Sequence, residues 1–418
     1  MKKIVILSLL LTWTLSSQDY YYSKYAPFND NIKTPEEFLG YPIGEMHTRH
    51  DLIVSYMEYL SDISDKAQVF YYGNTYEKRK LLILAISSTE KISTLEEIRE
   101  KHISYIDPDH PNYNSESKPS NFPVIINLGY GVHGNEPSSS EAALLTAYTL
   151  VSSQSDEIKN YLSQSVILLD PTINPDGRDR HTHWANTYKG SPLVDDPQDA
   201  EHNEYWPGGR TNHYWFDLNR DWYLAIHPES RGKLKWYHTW QPNVTTDFHE
   251  MGSNSTYFFV PFKPNGSLNP VIPKENYNYF NFLFGSYYAR ALDEIGTLYF
   301  TREVYDRTYP GYGSSYPDYL GGIGILFEQA SSRGHKQKTQ FGEITFPFTI
   351  RNQYISGMTT VMASVENKES LQDYQGKFFK SAITEANQKK IKGYTFDLGK
   401  DRNKTKAFID KLKIHDIK

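Results

Sequence analysis

The chain of 418 residues contains no cysteine. It can therefore form neither a disulfide bond nor a lipid anchor on cysteine, and its stability has to come from a buried core. At this length, the core can belong to one large domain or to two domains of ordinary size.

Long apolar runs and basic clusters are also missing. Beyond the N-terminus, no stretch approaches the ~18 apolar residues of a membrane-spanning helix. The formal net charge is -6, and the lysines near the C-terminus are typical of a solvated helix face. We therefore expect no binding to nucleic acid and no membrane association of the mature chain. Aromatic residues, in contrast, make up 15% of the sequence and include 34 tyrosines, which favours an aromatic-rich surface or cleft.

The first residues have the pattern of a secretory signal peptide. Lys2 and Lys3 precede the apolar stretch Ile4–Leu15, and small residues follow it. This pattern predicts a signal peptide over residues 1–17 and a protein that is secreted or periplasmic.

One stretch combines a buried strand with two metal-binding side chains. Val124–Leu128 is an apolar run, and the loop after it contains His133 and Glu136. Ser138 and Glu141 have the spacing of a capping box that begins a helix. In open α/β sheets, ligands bind where strands end, and a His and a Glu are two of the three protein ligands that a catalytic zinc requires. The His-x-x-Glu pair also arises by chance, so a plain surface loop is an alternative.

The remaining apolar runs alternate between strand and helix patterns, which predicts an α/β fold with a mixed central sheet and helices on both faces. The other predicted strands are Gln68–Tyr72, Lys80–Ser87, Val166–Asp170, Val244–Phe248, Tyr257–Pro261 and Ile323–Phe327. The predicted helices are Glu36–Asp65, Leu95–Ile106, the one after Ser138, Asn276–Ile295 and Ile350–Val365. Residues 178–215 show little periodicity and are predicted to be a long ordered loop.

These elements give a domain over residues 36–365, preceded by an extended lead-in over residues 18–35. Residues 366–418 are expected to be a C-terminal extension. A strand over Gly393–Leu398 and a helix over Lys404–Leu412 would make it an incomplete αβ unit.

Polar residues follow several of the predicted strands. Asn174 and His249 lie at such positions, as His133 does. A single His at a strand end can equally be a hydrogen-bonded structural residue. Glu250 follows His249, but position 253 is Ser253, so no His-Glu-x-x-His helix is present. Asp247 is a candidate to orient His249.

Glu328 comes directly after the apolar run Gly324–Phe327, where an unpaired carboxylate is costly. It is either in a salt bridge, with Arg333 as a candidate partner, or a general base beside metal-bound water. Asn219 and Arg220 together suit recognition of a carboxylate, although Arg220 could instead pair with a neighbouring Asp.

The ordered set of motifs resembles the zinc carboxypeptidase family typified by pancreatic carboxypeptidase A. The resemblance extends over roughly residues 40 to 365 and indicates a secreted bacterial branch. Its motifs are His133-x-x-Glu136, Asn174-Pro175-Asp176-Gly177, Asn219-Arg220, His249 and Glu328.

The resemblance implies a metal site and a reaction. His133, Glu136 and His249 would hold one zinc ion per chain, with water in the open position. Glu328 would take a proton from that water and pass it to the leaving amine.

The resemblance also implies how the substrate is bound. Asn219 and Arg220 would bind the free C-terminal carboxylate of a peptide, which makes the enzyme an exopeptidase. A tyrosine of the loop after residue 304 would cap the substrate. Tyr309 is favoured for this role, with Tyr312 as the alternative.

One feature of the family is missing at its usual place. An arginine that stabilises the oxyanion would fall within Ala185–Tyr188, where no arginine occurs. Arg178, Arg180 and Arg210 are the alternatives. Loss of such a donor without replacement would cost ~2.7–4 kcal/mol of transition-state stabilisation.

The sequence thus predicts a zinc-dependent metallocarboxypeptidase whose partners are peptides with a free C-terminus, and it leaves the oligomeric state open. One alternative keeps the zinc site but acts on cell-wall peptides or amino-acid amides. Another is an exported, non-catalytic glycan-binding protein, which would be expected to lack a ligand or the base.

Overall fold

A seven-stranded mixed β-sheet forms the centre of the protein. The computed structural model describes residues 20–114, 116–397 and 399–417, so the predicted signal peptide lies outside the described residues. In the part of the chain that is described, no helix is both long and apolar enough to cross a bilayer.

The strands are β1 (Ala67–Asn74), β2 (Lys80–Ile86), β3 (Val124–Gly129), β4 (Ser165–Asp170), β5 (Val244–Met251), β6 (Tyr257–Phe259), β7 (Ile323–Ala330), β8 (Lys336–Thr339) and β9 (Gly342–Thr345). The helices are α1 (Pro35–Leu39), α2 (His50–Ile63), α3 (Thr89–Ser93), α4 (Leu95–Ile106), α5 (Ser138–Ser152), α6 (Asp156–Gln164), α7 (Pro175–Tyr188), α8 (Pro228–Trp240), α9 (Asn281–Glu294), α10 (Phe346–Glu366), α11 (Lys368–Gln388) and α12 (Arg402–Ile414). A π-helical turn, Asn276–Phe280, leads into α9.

The order of strands in the main sheet is β1-β2-β4-β3-β5-β7-β6. The four strands β4, β3, β5 and β7 are mutually parallel, while β1, β2 and β6 run antiparallel to their neighbours. Parallel strands are buried on both faces, which is why β3 and β4 are continuous apolar runs in the sequence. The predicted fold class is confirmed.

Alternate residues of the central strands enter two different cores. Ile126 and Leu128 of β3 pack in the larger core, which α2, α5, α9 and α10 cover. Ile125, between them, packs on the opposite face with Leu95 of α4 and Trp236 of α8. This follows from the two-residue period of a strand. Each fully buried side chain of this size contributes about 1.5–3 kcal/mol to stability.

Five local predictions are wrong. Glu36–Asp65 is not one helix, because α1 ends at Gly40, which has a φ of 81°. Ser138 does not cap α5, since Glu141 is instead bound by the Arg178 guanidinium in a buried ion pair. The predicted loop over residues 178–215 contains most of α7, and residues 393–397 form no strand. The two strands that bear His249 and Glu328 also continue beyond these residues rather than ending there.

Helix α7 was missed because its buried side chains are polar. Arg178, His181 and Thr182 give no apolar periodicity, although all three are buried. Asn174, which ends the strand–loop segment before α7, caps this helix by accepting a hydrogen bond from the Gly177 N–H at 3.0 Å.

Candidate metal centre

Three side chains from two elements converge at the carboxyl end of the central strands. His133 and Glu136 lie on the loop between β3 and α5, and His249 lies on β5. His133 Nδ1 is 2.8 Å from Glu136 Oε1 and 3.2 Å from His249 Nδ1. His249 Nδ1 is in turn 2.9 Å from Glu136 Oε2. All three side chains are buried, and one ligand atom of each lies within 4.8 Å of the others.

This donor set fits a zinc ion. Two imidazole nitrogens and a carboxylate form a common set of protein ligands for catalytic zinc, which leaves a further position open. The two Nδ1 atoms of His133 and His249 face each other, and two unprotonated ring nitrogens cannot satisfy each other by hydrogen bonding. A metal ion would give both nitrogens a partner.

A carboxylate holds the far nitrogen of each histidine. Asp217 Oδ1 is 2.8 Å from His133 Nε2, and Asp247 Oδ1 is 2.9 Å from His249 Nε2. With the Nε2–H donating to the carboxylate, the Nδ1 lone pair of each ring is directed at the other ligands. Ser314 N–H fixes Asp247 by donating to its other oxygen at 3.0 Å. The sequence suggested Asp247 for this role and missed Asp217, which lies two residues before Asn219.

Opposite charges in the centre stabilise the charged forms of its histidines and carboxylates. Burial by itself would lower the pKa of both histidines, but in each case neighbouring carboxylates raise the pKa instead. Burial alone would raise the pKa of Glu136, yet the His133 and His249 charges hold it well below the usual range. The pKa of Asp217 is likewise lowered, against the effect of burial, by its hydrogen bond with His133 and by the Arg210 charge.

Backbone packing fixes the loop that carries the first two ligands. Gly134 N–H donates to the Gly209 carbonyl at 2.9 Å. A Cβ atom at Gly134 would lie 2.0 Å from the carbonyl carbon of Gly177, and one at Gly209 would lie 2.6 Å from the Gly177 oxygen. Only glycine allows these three segments to approach so closely.

Glu328 lies beside the metal centre on the neighbouring strand. It is paired with His249 across β5 and β7, and it lines a cavity of about 340 Å³. Burial raises the pKa of Glu328 to about 8, although the His249 charge opposes the shift. The charges acting on it are those of the centre and not that of Arg333, so the salt-bridge alternative is not supported.

Asn219 and Arg220 form the end of a short 3₁₀ turn, Leu218–Arg220, next to the centre. Asp217 caps this turn by accepting the Asn219 N–H at 2.9 Å. Asn219 Nδ2 is 2.9 Å from His249 Nε2, and Asn219 Oδ1 accepts the Gly313 N–H at 2.7 Å. Arg220 lines the cavity, and its distance to Asp217 is 3.8 Å, which is long for the competing ion pair.

The loop after residue 304, here called the tyrosine loop, contributes to the cavity through residues other than Tyr309. Tyr309 donates its hydroxyl to the Arg220 carbonyl at 3.0 Å. Tyr305 and Tyr312 are the tyrosines that line the cavity. The Arg220 guanidinium lies over the Tyr312 ring at 4.7 Å from its centre.

Arg210 is the arginine that reaches the centre. It donates to Asp217 Oδ2 at 2.9 Å and to Glu136 Oε1 at 3.2 Å, and it lines the cavity. Arg178 is buried against Glu141, and Arg180 donates to backbone carbonyls of the loop that carries Arg210. No spacing signal in the sequence distinguished Arg210 from the other two.

The complete set of cavity-lining residues is His133, Glu136, Arg210, Asn219, Arg220, His249, Glu250, Met251, Val304, Tyr305, Asp306, Tyr312, Ser314, Leu326 and Glu328.

Comparison with known proteins identifies relatives of this arrangement. A family model described as zinc carboxypeptidase matches residues 53–267, which is just over half of the chain and includes the three metal-binding candidates. A solved Burkholderia mallei protein assigned as a carboxypeptidase has a similar fold, with a TM-score of 0.50 and 13% identity over 76% of this chain and 67% of that one. Carboxypeptidase A from Helicoverpa armigera gives a TM-score of 0.49 and 15% identity over 81% of this chain and 76% of that one. A search of curated proteins gives no match.

Proposed function

Because the chain belongs to the zinc carboxypeptidase family, we propose that it is a metallocarboxypeptidase that removes single residues from the C-terminus of peptides. His133, Glu136 and His249 would hold one zinc ion. One observation carries the proposal: these three ligands lie around a single cavity. The carboxylate of Glu328 and the guanidinium groups of Arg210 and Arg220 line the same cavity.

Zinc bound at this centre supplies Lewis acidity toward a carbonyl oxygen and toward water. The residues of the chain supply the proton transfers. Glu328 lies across the strand pair from His249 and faces the cavity, where it can accept a proton from the attacking water and deliver it to the leaving amine. No other carboxylate that lines the cavity suits this role as well. Glu136 is committed to the histidines, Glu250 accepts hydrogen bonds from Ser138, and Asp306 accepts them from Thr308.

Arg210 and Arg220 would have separate roles. Arg210 is adjacent to Glu136 and is placed to stabilise negative charge that develops on the carbonyl oxygen. Arg220 lies further along the cavity, beside Asn219. Its Nη1 donates to a backbone carbonyl, and its side chain is 44% exposed, so its remaining donors are available to a substrate carboxylate. The Tyr312 ring under the guanidinium fixes its plane.

The cavity suits the end of a peptide. Its volume of about 340 Å³ lies at the lower end of the range for small-ligand sites, ~300–1,000 Å³. A C-terminal residue would span the site between two groups. Its carboxylate would bind Arg220 at one end, and its scissile bond would lie beside Glu328 at the other. Tyr309 stays a prediction for the capping role, and Tyr305 and Tyr312 are the stronger candidates by position.

Release of C-terminal residues from a mixed peptide library, measured together with zinc content, tests the proposal. We expect wild type to trim free C-termini and to spare the same peptides when they are C-terminally amidated. Glu328→Gln should reduce kcat by ~10²- to 10⁴-fold with an unchanged zinc content. Arg220→Ala should raise KM for free C-termini. Glu303→Gln, a carboxylate of the same loop region that does not line the cavity, is the matched control. Internal cleavage, or equal trimming of amidated peptides, would contradict the proposal.

A second candidate keeps the zinc site but acts on cell-wall peptides. The loop that carries Arg210 exposes two tryptophans, Trp206 and Trp215, whose rings lie 4.8 Å apart. Exposed aromatic faces of this kind suit a sugar-linked ligand. Release of amino acids from peptidoglycan fragments but not from plain peptides would favour this candidate. The predicted signal peptide accords with either substrate, and N-terminal sequencing of the exported protein tests the secreted or periplasmic location.

A further inference from the structure

A second group of metal-binding side chains lies away from the cavity. His47 precedes α2, Glu201 lies in the 3₁₀ turn Ala200–His202, and His335 directly precedes β8. One ligand atom of each lies within 4.8 Å of the others. All three side chains are buried, with an exposed fraction of 1% each, and none of them lines the catalytic cavity.

The polar atoms of this group are poorly satisfied. Glu201 Oε1 accepts hydrogen bonds from the His335 backbone N–H, at 2.8 Å, and from its Nδ1. Both ring nitrogens of His47, Nε2 of His335 and Oε2 of Glu201 have no hydrogen-bond partner among the described residues. Each unsatisfied buried polar atom costs ~1–3 kcal/mol. A single metal ion would give atoms of all three side chains a shared partner.

The surrounding residues hold the ligands in place. The His47 ring stacks on Phe346 at 4.1 Å between centres, and Asn186 binds both the N–H and the carbonyl of His47, at 3.0 and 2.9 Å. A Cβ atom at Gly334 would lie 2.6 Å from Glu201 Oε1, so the approach of this carboxylate depends on glycine there. Such support from packing and hydrogen bonds is what orients ligands in metal sites.

A third imidazole lies next to the His47 ring. His181 lies beside it, with ring centres 5.4 Å apart. Its Nδ1 is 3.2 Å from Glu204 Oε1, while its Nε2 is buried and without a partner among the described residues. His181 therefore borders the group, whose mutually close ligand atoms are those of His47, Glu201 and His335.

We propose that His47, Glu201 and His335 hold a second divalent transition-metal ion of the zinc type, with a structural role. Two imidazoles and a carboxylate match the ligand preference of zinc, and the group lies outside the catalytic cavity, which accords with a structural rather than a catalytic ion. The three ligands come from segments that are far apart in the sequence, so the ion would join them.

The ion would also stabilise the loop that carries Arg210. Glu204, three residues after Glu201, accepts hydrogen bonds from Asn135 Nδ2 at 3.0 Å and from the Gly209 N–H at 2.8 Å. Asn135 lies between the two loop ligands of the catalytic centre. The second ion would thus stabilise both the loop that carries Arg210 and the loop that carries His133 and Glu136.

Metal content of the full-length chain tests the proposal. We expect two equivalents of zinc in wild type and one in the double variant Glu136→Gln/His249→Ala, which lacks catalytic ligands. Adding His335→Ala to that double variant should remove the remaining equivalent. His202→Ala is the matched control, because His202 is buried beside Glu201 but bonds to the Asp196 carbonyl through its own Nδ1 at 2.8 Å. The control should retain both equivalents.

Two further measurements separate metal loss from misfolding. Titration of the metal-free double variant with Co²⁺ should give a visible absorption band that saturates at one equivalent, and Zn²⁺ should raise its Tm. Glu201→Gln, which exchanges a single oxygen for nitrogen, should weaken metal binding by at least ~10-fold with an unchanged circular dichroism spectrum. A folded double variant that binds no metal would overturn the proposal. His335→Ala alone should keep the catalytic equivalent, so failure of the second site is distinguishable from failure of the catalytic one.

Discussion

Replacing Asp217 should weaken metal binding at the catalytic centre without removing any ligand. Asp217 makes one hydrogen bond of 2.8 Å with His133 and accepts another from Arg210. Its side chain is only 21% exposed, so solvent screens the interaction weakly. A hydrogen bond to a charged group contributes ~1.5–3 kcal/mol. That range agrees with the 10- to 100-fold loss of metal affinity, ~1.4–2.7 kcal/mol, that follows removal of such an orienting carboxylate.

The assay is a competition titration of the metal-free protein against a fluorescent zinc chelator. Asp217→Ala should raise the Kd for zinc by ~10- to 100-fold. Asp217→Asn keeps an oxygen acceptor for His133, so its effect should be smaller, below ~10-fold. Asp306→Ala is the control, because Asp306 lines the same cavity and bonds to Thr308 rather than to a ligand. A Kd of Asp217→Ala within about twofold of wild type would refute the view that this carboxylate orients His133.

Three further predictions address catalysis, pH dependence and packing. Arg210→Ala should lower kcat by ~10²- to 10³-fold at unchanged zinc content, and an unaltered kcat would exclude a role for Arg210 at the oxyanion. Burial raises the pKa of Glu229 to about 7 from the usual 4.5, so the folded chain retains a proton that the unfolded chain releases. The free energy of unfolding should therefore fall as pH rises from 4.5 to 7, with up to ~3 kcal/mol of this fall due to Glu229. In urea titrations, Glu229→Gln should show a correspondingly smaller slope, and an equal slope in the variant would exclude this assignment. Gly134→Ala should destabilise the fold by ~1–3 kcal/mol or more, since its Cβ would meet the Gly177 backbone, whereas Gly252→Ala, with no atom within 4 Å, should not; equal unfolding midpoints would contradict this.

The parts of the centre that could be predicted from the sequence are those carried by apolar strands. Runs such as those of β3, β5 and β7 give a strong strand signal, and His133, His249 and Glu328 follow or end these runs. Their convergence then follows from the topology of parallel strands. Residue types and spacing also pointed to Glu136 and to the Asn219-Arg220 pair, and the family resemblance added the role of each.

The remaining parts depend on tertiary contacts that leave no local pattern. Arg210 and Asp217 lie in an irregular segment and meet His133 across 77 and 84 residues. The predicted capping box failed for a related reason, because Glu141 is completely buried and its carboxylate is bound by Thr48 and Arg178. The cluster of His47, Glu201 and His335 has no spacing signature at all, since each residue comes from a different segment.

The contact of Gly134, Gly177 and Gly209 limits how this fold can diversify. Two loops and the first turn of α7 meet there backbone to backbone. The loop of Gly134 carries two of the ligands, and the loop of Gly209 carries Arg210. A segment transplanted from a relative would need a glycine at the same position and a backbone at the same distance from its two neighbours. The three segments would therefore have to change together. Substrate range is expected to change through the tyrosine loop after residue 304, which is outside this contact.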